Sequence, residues 1–282
     1  MIGTLYVVAT PIGNLKDITL RAIEMLRTVD LIAAEDTRHS KRLLQEYDIT
    51  KEMISLHEHN EHEQIHRIIQ QLQSGSQIAL VSDAGTPLIS DPGFPLIRAA
   101  RAAGIKVVPI PGPCAAITAL SAAGLPADHF IFEGFLPAKT QARCNRLSHL
   151  QYEHRTIIFY ESVHRIAECL QDLLTVFGKT RRLVLARELT KTYETFLDGT
   201  IEYVLQQIEQ DSNQQRGEFV LILQGYQIQE NDGINPEAIR ILRLLMEELP
   251  MKQAVQLTAK LTECRKNILY DYAVDKMKSD HK

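Results

Sequence analysis

Residues 80–93 read LVSDAGTPLISDPG, and they carry an apolar run into two loops that contain proline. The run begins at residue 77 (QIALVSD) and is typical of a strand buried on both faces. The small residues after it allow the backbone to approach a ligand closely, and Asp83 places a carboxylate at the carboxyl end of the strand. A tight connecting loop can have the same composition. The segment therefore indicates either a ligand-binding strand end or a simple turn.

The rest of the first 111 residues repeats this pattern, because apolar runs of strand length alternate with helical spacing. Such alternation predicts a parallel α/β sheet, whose binding crevice lies at the carboxyl ends of its strands. We expect strands at residues 5–10, 31–36, 53–56, 77–83 and 106–111, helices at 20–27, 40–47, 61–73 and 95–103, and a helix of small residues at 115–123.

The pattern changes after residue 124, where a second domain is expected to begin. Strand-like runs at 181–188 and 193–197 are joined by a short connection, which indicates antiparallel pairing. A polar stretch at 227–236 (QIQENDGINP) indicates a linker, and three helical patterns follow it. These helices form either a helix-turn-helix-like reader, a plain packing unit or a dimer contact. The expected organisation is a parallel α/β domain at 1–124, a mixed α/β domain at 125–226 and a helical extension at 234–282.

The composition is that of a folded globular protein, since 45% of the 282 residues are apolar and 23% are charged. The apolar runs are shorter than the roughly 20 residues that a membrane-spanning helix needs. No basic leader precedes the first strand, and the four cysteines form no CxxC pair, so we expect a cytoplasmic protein with reduced thiols. The net charge of −4 means that a polyanion would be met by a local basic patch.

Two further strand ends have the composition of a ligand loop. Residues 8–14 (VATPIGN) follow the first strand, and residues 107–116 (VVPIPGPCAA) break a strand before a helix whose free N–H groups can bind polar ligand atoms. Three such loops at one sheet edge favour a ligand site over simple turns. None of the three loops has the GxGxxG or the P-loop sequence. Their absence disfavours a Rossmann-type nicotinamide site and a nucleoside triphosphatase.

A short motif raises the alternative of a zinc site. Residues 62–66 (HEQIH) match HExxH, in which the two histidines would bind zinc and Glu63 would act as a general base. The flanking sequence is strongly polar, whereas a helix that carries a buried zinc site needs apolar flanks. We therefore prefer the interpretation as a solvated helix start, and no metal is expected.

Basic residues cluster beside another strand end. Arg38, Lys41 and Arg42 follow the acidic pair Glu35-Asp36 on the same rim as the three loops. Asp36 or Thr37 can cap the helix that follows. Basic side chains here also suit phosphate contacts, which position a nucleic acid without reading its sequence. The two roles are compatible.

Long motifs, taken in order, resemble the ribosomal RNA methyltransferases of the tetrapyrrole-methylase superfamily. They are VATPIGNLKDIT, AAEDTRHSKRLL, LHEHNE, ALVSDAGTPLISDPG, PIPGPCAAITALSAAGLP, FEGFLPAK, IIFYESVHRI, LARELTKTYE and GEFVLILQG. The resemblance implies a two-domain α/β fold of the class III S-adenosylmethionine methyltransferases with a C-terminal helical appendage, usually in a homodimer. It implies methylation of the ribose 2′-hydroxyl of a cytidine in small-subunit ribosomal RNA.

The resemblance also implies which residues form the site. The superfamily's Gly-Asp-Pro-like loop corresponds to residues 82–85 (SDAG), in which the glycine follows the aspartate. The residues expected to contact S-adenosylmethionine are Pro11, Asp83, Ala84, Gly85, Pro87, Cys114, Ala115, Tyr160, Arg187 and Phe219. RNA, free or in the assembled small subunit, would be held by Arg38, Lys41, Arg42, Lys139 and Arg143.

The expected reaction benefits from a base, because a ribose hydroxyl is a poor nucleophile at neutral pH and a positioned base adds about 10²- to 10⁴-fold. Candidates on the strand-end rim are Glu35, Asp36, His57 and Glu61, of which we favour Glu35 or His57. The competing functions are a small-molecule methylase of the tetrapyrrole type, a zinc peptidase and a non-enzymatic RNA-binding accessory.

Overall fold

A computed structural model describes most of the chain. The described residues are 2–57, 60–227, 236–262 and 264–279. They form two compact units, which are residues 1–151 with 155–224 and residues 152–154 with 225–282. The expected linker at 227–236 lies almost wholly outside the described residues.

The first sheet of the larger unit contains five parallel strands. They are β1 (Thr4–Val8), β2 (Leu31–Ala34), β3 (Glu52–Ser55), β4 (Ile78–Val81) and β5 (Lys106–Ile110). Their order is β3-β2-β4-β1-β5. Strands β2 and β4 are buried at every residue, as their continuous apolar runs require in a sheet covered on both faces. Each strand end lies within two residues of its predicted position.

Four helices cover the two faces of this sheet. They are α1 (Leu20–Thr28), α2 (Thr37–Glu46), α3 (Glu61–Gln73) and α4 (Phe94–Ala102). Alternate strand residues face opposite ways, so one apolar cluster joins the sheet to α1 and α2 and another joins it to α3 and α4. The predicted capping role of Asp36 is confirmed, because its carboxylate accepts a hydrogen bond from the Arg38 N–H at 2.8 Å.

The second sheet is mixed. Its strands are β6 (Phe130–Phe135), β7 (Thr156–Glu161), β8 (Arg182–Arg187), β9 (Thr195–Thr200) and β10 (Phe219–Leu223), in the order β6-β7-β10-β8-β9. The predicted antiparallel pairing of β8 with β9 is confirmed, and only β6 pairs in parallel, with β7. Three helices pack on one face: α6 (Thr140–His149), α7 (Ile166–Phe177) and α8 (Ile201–Gln210).

The small-residue helix α5 (Ala115–Ala122) packs on the other face of this second sheet. Its Ala119 and Leu120 share an apolar cluster with Ile158, Val184 and Val220. The helix lies before the expected boundary at residue 124, yet its partners lie after that boundary. Both expected α/β domains therefore contribute to one compact unit.

The smaller unit contains three C-terminal helices, which are α9 (Pro236–Glu248), α10 (Met251–Thr262) and α11 (Lys266–Ser279). They share a core that includes Leu242, Ala254 and Leu269. Helical spacing in the sequence predicts all three. Within the part of the chain that the structure describes, no helix is both long and apolar enough to cross a membrane.

Candidate functional site

A cavity of about 400 Å³ lies at the carboxyl ends of β1, β2 and β4 and is closed by residues of the second sheet. This volume is within the usual range of small-molecule sites, about 300–1,000 Å³. Five lining residues carry carboxylates, and none of the described lining residues is lysine or arginine. The lining residues are Ile12, Glu35, Asp83, Ala84, Gly85, Thr86, Ile89, Ser90, Asp91, Cys114, Ala115, Phe135, Tyr160, Glu161, Ser162, Val163, Leu189, Gly217, Glu218, Phe219 and Val220.

Neighbouring strands hold two of these carboxylates side by side. Because β2 and β4 are parallel and adjacent, Glu35 and Asp83 leave the sheet at the same edge. The Asp83 N–H donates to Glu35 Oε2 at 3.3 Å, and Asp83 Oδ1 accepts from the Asp36 N–H at 3.0 Å. Asp83 Oδ2 lies 3.4 Å from His39 Nδ1. Both side chains are therefore fixed by hydrogen bonds from backbone N–H groups that follow the two strands.

The loop from β4 to α4 is held in an unusual backbone conformation. Gly85 has φ +80° and bridges to Thr10 by two backbone hydrogen bonds of 2.8 and 3.0 Å. Leu88 and Ser90 also have positive φ, 75° and 68°. Such conformations cost non-glycine residues of order 1–3 kcal/mol and persist where the surrounding structure imposes them. The loop is thus a rigid wall of the cavity.

Asp91 lies on this same wall. Burial, together with the nearby charges of Glu35 and Asp83, raises the pKa of Asp91 to about 6, although a hydrogen bond with Ser82 opposes the rise. The sequence motifs contain Asp91, in the second Ser-Asp of residues 82–91, but our sequence reasoning did not select it. The repetition of Ser-Asp within one loop is the signal that could have pointed to Asp91.

The second sheet supplies the opposite wall. The Tyr160 hydroxyl accepts a hydrogen bond from the Ala116 N–H at 3.0 Å, so it binds one of the free amides at the start of α5. The rings of Phe132 and Phe135 meet the Tyr160 ring edge to face, with centroids 4.9 and 5.6 Å away. Burial is the main reason that the pKa of Tyr160 is raised. Tyr160 therefore acts as a neutral structural link across the cavity.

Two more carboxylates of the lining have cationic partners that lie outside it. Glu161 is fully buried, and its Oε1 pairs with Arg165 at 2.8 Å. Glu218 pairs with Lys191 at 2.8 Å. Glu35, Asp83 and Asp91 thus make the wall on the side of the first sheet more negatively charged than the wall formed by the second sheet. A negatively charged wall suits a ligand that carries positive charge.

Comparison with known proteins identifies the family. Residues 4–204 match the family model described as Tetrapyrrole (Corrin/Porphyrin) Methylases, and residues 232–278 match the model described as RsmI C-terminal HTH domain. The chain belongs to the tetrapyrrole methylase family.

Relatives of known name within this family are similar over nearly the whole chain. The chain is 54% identical over 273 residues to Ribosomal RNA small subunit methyltransferase I of Pasteurella multocida, with 97% of both chains covered. It is 56% identical over 275 residues to the protein of that name from Pseudomonas aeruginosa, covering 97% of this chain and 98% of the relative. For the Xylella fastidiosa protein the identity is 57% over 268 residues, with 95% and 98% covered.

Solved structures of other proteins share the fold. Diphthine synthase matches with a TM-score of 0.62 at 15% identity, covering 79% of this chain and 90% of that chain. Uroporphyrin-III C-methyltransferase from Thermus thermophilus, complexed with S-adenyl homocysteine, matches with a TM-score of 0.55 at 16% identity, covering 79% and 97%. The predicted class III α/β fold with its helical extension is confirmed.

Most of the residues predicted to contact the cofactor of this methylase lie on the cavity. Those that line it are Asp83, Ala84, Gly85, Cys114, Ala115, Tyr160 and Phe219, together with the base candidate Glu35. The lining residues that sequence reasoning missed come mainly from the second Ser-Asp loop and from the segments at 161–163 and 217–220.

Four predicted residues do not line the cavity. Pro11 and Pro87 lie in the wall loops but behind the lining. Arg187 is buried, and its guanidinium donates to the Arg216 carbonyl at 2.6 Å, so it fixes the backbone rather than a ligand. The base candidate His57 also lies outside the lining. Direct contact of Pro11, Pro87 and Arg187 with the cofactor, and the role of His57 as a base, stay predictions.

The basic residues predicted to hold RNA divide into two groups. Lys41, Arg42 and Lys139 are exposed, and the Arg38 side chain is 89% exposed although it pairs with Asp36 at 2.7 Å. Arg143 is different.

The Arg143 side chain is fully buried. Its Nε lies 2.6 Å from Asp172 Oδ2 on α7, and its Nη1 donates to the Ala138 carbonyl at 3.2 Å. Leaving this pair to meet a phosphate would strand a buried charge. Arg143 joins α6 to α7, and this structural role argues against the predicted contact with RNA.

The HExxH motif lies on the first two turns of α3. His66 Nε2 is 2.9 Å from Gln70 Nε2. Among the residues that the structure describes, no three His, Cys, Asp or Glu side chains are grouped so that they could hold a metal ion.

Proposed function

We propose that the chain transfers a methyl group from S-adenosylmethionine to the ribose 2′-hydroxyl of a cytidine in small-subunit ribosomal RNA. The observation that carries the proposal is the identity of 54–57%, over nearly the whole chain, to methyltransferases named for that RNA. The ribose position and the cytidine are what the resemblance of the sequence motifs implies.

The charged and apolar residues that line the cavity suit S-adenosylmethionine. The cofactor carries a sulfonium and an ammonium group, and Glu35, Asp83 and Asp91 offer carboxylates without a competing lysine or arginine in the described lining. Apolar side chains such as Ile12 and Phe219 suit its adenine ring. When bound, the cofactor supplies an activated methyl group.

The residues of the chain then have to place the ribose oxygen in line with that methyl group and to exclude water. Aligned, near-attack geometry is worth roughly 7–11 kcal/mol of the barrier. The strained loop at 85–93 and the hydrogen bond from the Ala116 N–H to the Tyr160 hydroxyl hold the two walls of the cavity in fixed positions. This rigidity supports a role in alignment.

RNA is proposed to approach along α2. This helix begins beside the cavity, because the Asp36 N–H at its start donates to Asp83, and it presents Arg38, Lys41 and Arg42 to solvent. Phosphate contacts there would position the RNA while a single ribose enters the acidic cavity. Lys139, at the start of α6, is a further candidate.

We also propose that the protein acts in the cytoplasm, as a homodimer, on free small-subunit RNA or on the assembled small subunit. The family resemblance supports the dimer, and sedimentation of the purified protein tests it.

The reaction is tested with purified protein and methyl-labelled S-adenosylmethionine. Small subunits and free small-subunit RNA, both from cells that lack the protein, serve as parallel substrates. We expect label in the RNA, on the 2′-oxygen of a cytidine, and binding of S-adenosylhomocysteine by calorimetry. A protein that binds no S-adenosylhomocysteine, or that labels a tetrapyrrole and no RNA, does not have the proposed function.

A further inference from the structure

Asp91 combines a fixed position with access to the cavity. It follows Ser90, whose φ of 68° is imposed by the surrounding loop, and its side chain lines the cavity. Two residues later, the Gly93 N–H donates to the buried carboxylate of Glu61 at 3.1 Å. The loop therefore holds Asp91 from both sides.

The groups that face Asp91 come from three other strand ends. Glu35 follows β2, Asp83 follows β4, and Tyr160 lies on β7, and each interacts electrostatically with Asp91. None of these three groups is cationic. The neutral hydroxyl of Ser82, which donates to the Ala84 carbonyl at 3.3 Å, favours the charged form of Asp91.

The other two carboxylates on this side of the cavity are committed elsewhere. Asp83 accepts the Asp36 N–H and faces His39, and Glu35 accepts the Asp83 N–H. A carboxylate oxygen that already accepts a hydrogen bond from the chain is less available to accept a proton from a substrate. Burial raises the pKa of Asp91 to about 6, which is closer to neutral pH and suits a general base.

We propose that Asp91 is the base that accepts the proton of the ribose 2′-hydroxyl during methyl transfer. The inference rests on the proposed function and names a catalytic residue for it.

The bonds, electrons and proton of the methyl transfer are all accounted for by the ribose, the cofactor and Asp91. The ribose oxygen forms a bond to the methyl carbon while the carbon–sulfur bond breaks, and the electron pair of that bond stays on the sulfur. The hydroxyl proton goes to an Asp91 carboxylate oxygen, which later releases it to water. No oxidant, reductant or metal takes part in this balance.

The test compares Asp91→Asn with the wild-type protein in single-turnover methylation of small subunits from cells that lack the protein. Asparagine keeps the shape of the side chain and cannot accept the proton, so we expect the rate to fall by about 10²- to 10⁴-fold. The affinity for S-adenosylhomocysteine should stay within about threefold, because its sulfur is neutral, the carboxylates of Glu35 and Asp83 remain for its ammonium group, and the loss lies in the transition state. Asp128→Asn, at an exposed position, is the matched control and should keep the wild-type rate.

The pH profile gives an independent readout. For the wild-type protein, kcat/KM should rise with pH and level off above a midpoint near 6, because the charged carboxylate is the active form. Asp91→Glu should retain a rising limb, whereas Asp91→Asn should lose it. Ser82→Ala removes the hydrogen bond that lowers the pKa of Asp91, so its midpoint should move to higher pH, and this variant serves if Asp91→Asn does not fold.

Three results would overturn the assignment. They are an Asp91→Asn rate within about threefold of wild type, a loss of rate matched by an equal loss of S-adenosylhomocysteine affinity, and a Ser82→Ala midpoint that does not move. Each leaves the proposed function intact if the wild-type protein methylates the RNA. Failure of the wild-type protein to methylate RNA removes the proposed function itself.

Discussion

At the scale of single residues, the surroundings of Asp91 in the cavity change the acidity of its carboxyl group. Glu35, Asp83 and Asp91 are three carboxylates on one rim, and the pKa of Asp91 is raised to about 6. The cause of the rise is burial first and the two neighbouring charges second. A carboxylate that the fold holds in such a place is retained at some cost to stability, which is typical of a functional position.

That cost is measurable as a dependence of stability on pH. The pKa of Asp91 is higher in the folded protein than in the unfolded chain, so the folded state holds the proton more tightly and loses stability as the pH rises towards 6. Asp91→Asn removes this loss. We expect the difference in Tm, variant minus wild type, to be more positive at pH 7.5 than at pH 4, by a few degrees, since about 1 kcal/mol shifts Tm by roughly 2–4 °C in a domain of this size.

Asp128→Asn provides the comparison, because Asp128 is exposed. Its difference in Tm from the wild type should not change between the two pH values. A flat profile for Asp91→Asn as well would show that Asp91 titrates normally.

Sequence reasoning at this scale found residues at strand ends and missed those whose role depends on distant partners. Asp83 and Tyr160 follow or end apolar runs, so their position on the rim was predictable. Whether Arg143 is a surface charge or a buried one depends on Asp172, which belongs to another helix. The raised pKa of Asp91 likewise depends on strands that are distant in sequence.

At the scale of secondary-structure elements, the site depends on how the loop from β4 to α4 is anchored. The carboxylate of Glu61, in the first turn of α3, accepts the Gly93 N–H and is 8% exposed. The same side chain was a base candidate in the sequence, and its hydrogen bond with the Gly93 N–H gives it a structural role.

We therefore expect Glu61→Ala to destabilise the protein by about 1–3 kcal/mol, because a buried N–H loses its acceptor. Urea unfolding measures the change. Glu63→Ala is the matched control, since Glu63 lies in the same turn of α3 and is exposed. It should cost about 0.3–1 kcal/mol through the helix dipole alone. Equal losses in the two variants would show that the loop does not depend on Glu61.

The elements themselves were largely predictable, and their packing was less so. Apolar runs predicted every strand of the first sheet to within two residues, because buried parallel strands are continuous apolar runs. Helix α5 has no apolar stripe, since most of its residues are small and apolar, so nothing in its pattern tells which sheet it contacts. Its position on the second sheet was visible only in the structure.

At the scale of the whole molecule, the distribution of charge determines where RNA can bind. The chain carries a net charge of −4, and the cavity is lined by carboxylates, so both repel a phosphate backbone. The exposed basic residues of α2 lie beside that cavity. RNA affinity should therefore come from a local patch and should weaken steeply with salt.

The double variant Lys41→Ala, Arg42→Ala tests this patch. Removing two cationic side chains that neutralise phosphates should weaken binding to small-subunit RNA and reduce the slope of log affinity against log salt by about one for each side chain removed. Arg101→Ala with Lys106→Ala removes the same charge at the opposite edge of the first sheet, where α4 ends and β5 begins. An equal change in both double variants would mean that the effect is one of net charge and not of a site on α2.

The central claim is that this chain methylates a ribose of small-subunit ribosomal RNA, and mapping of ribose methylation in cells tests it most directly. RNA is compared from cells with the protein, without it, and with it restored from a plasmid. The account predicts that one cytidine loses its 2′-O-methyl group when the protein is absent and regains it on restoration. An unchanged set of ribose methyl groups in the small-subunit RNA of cells without the protein would contradict it.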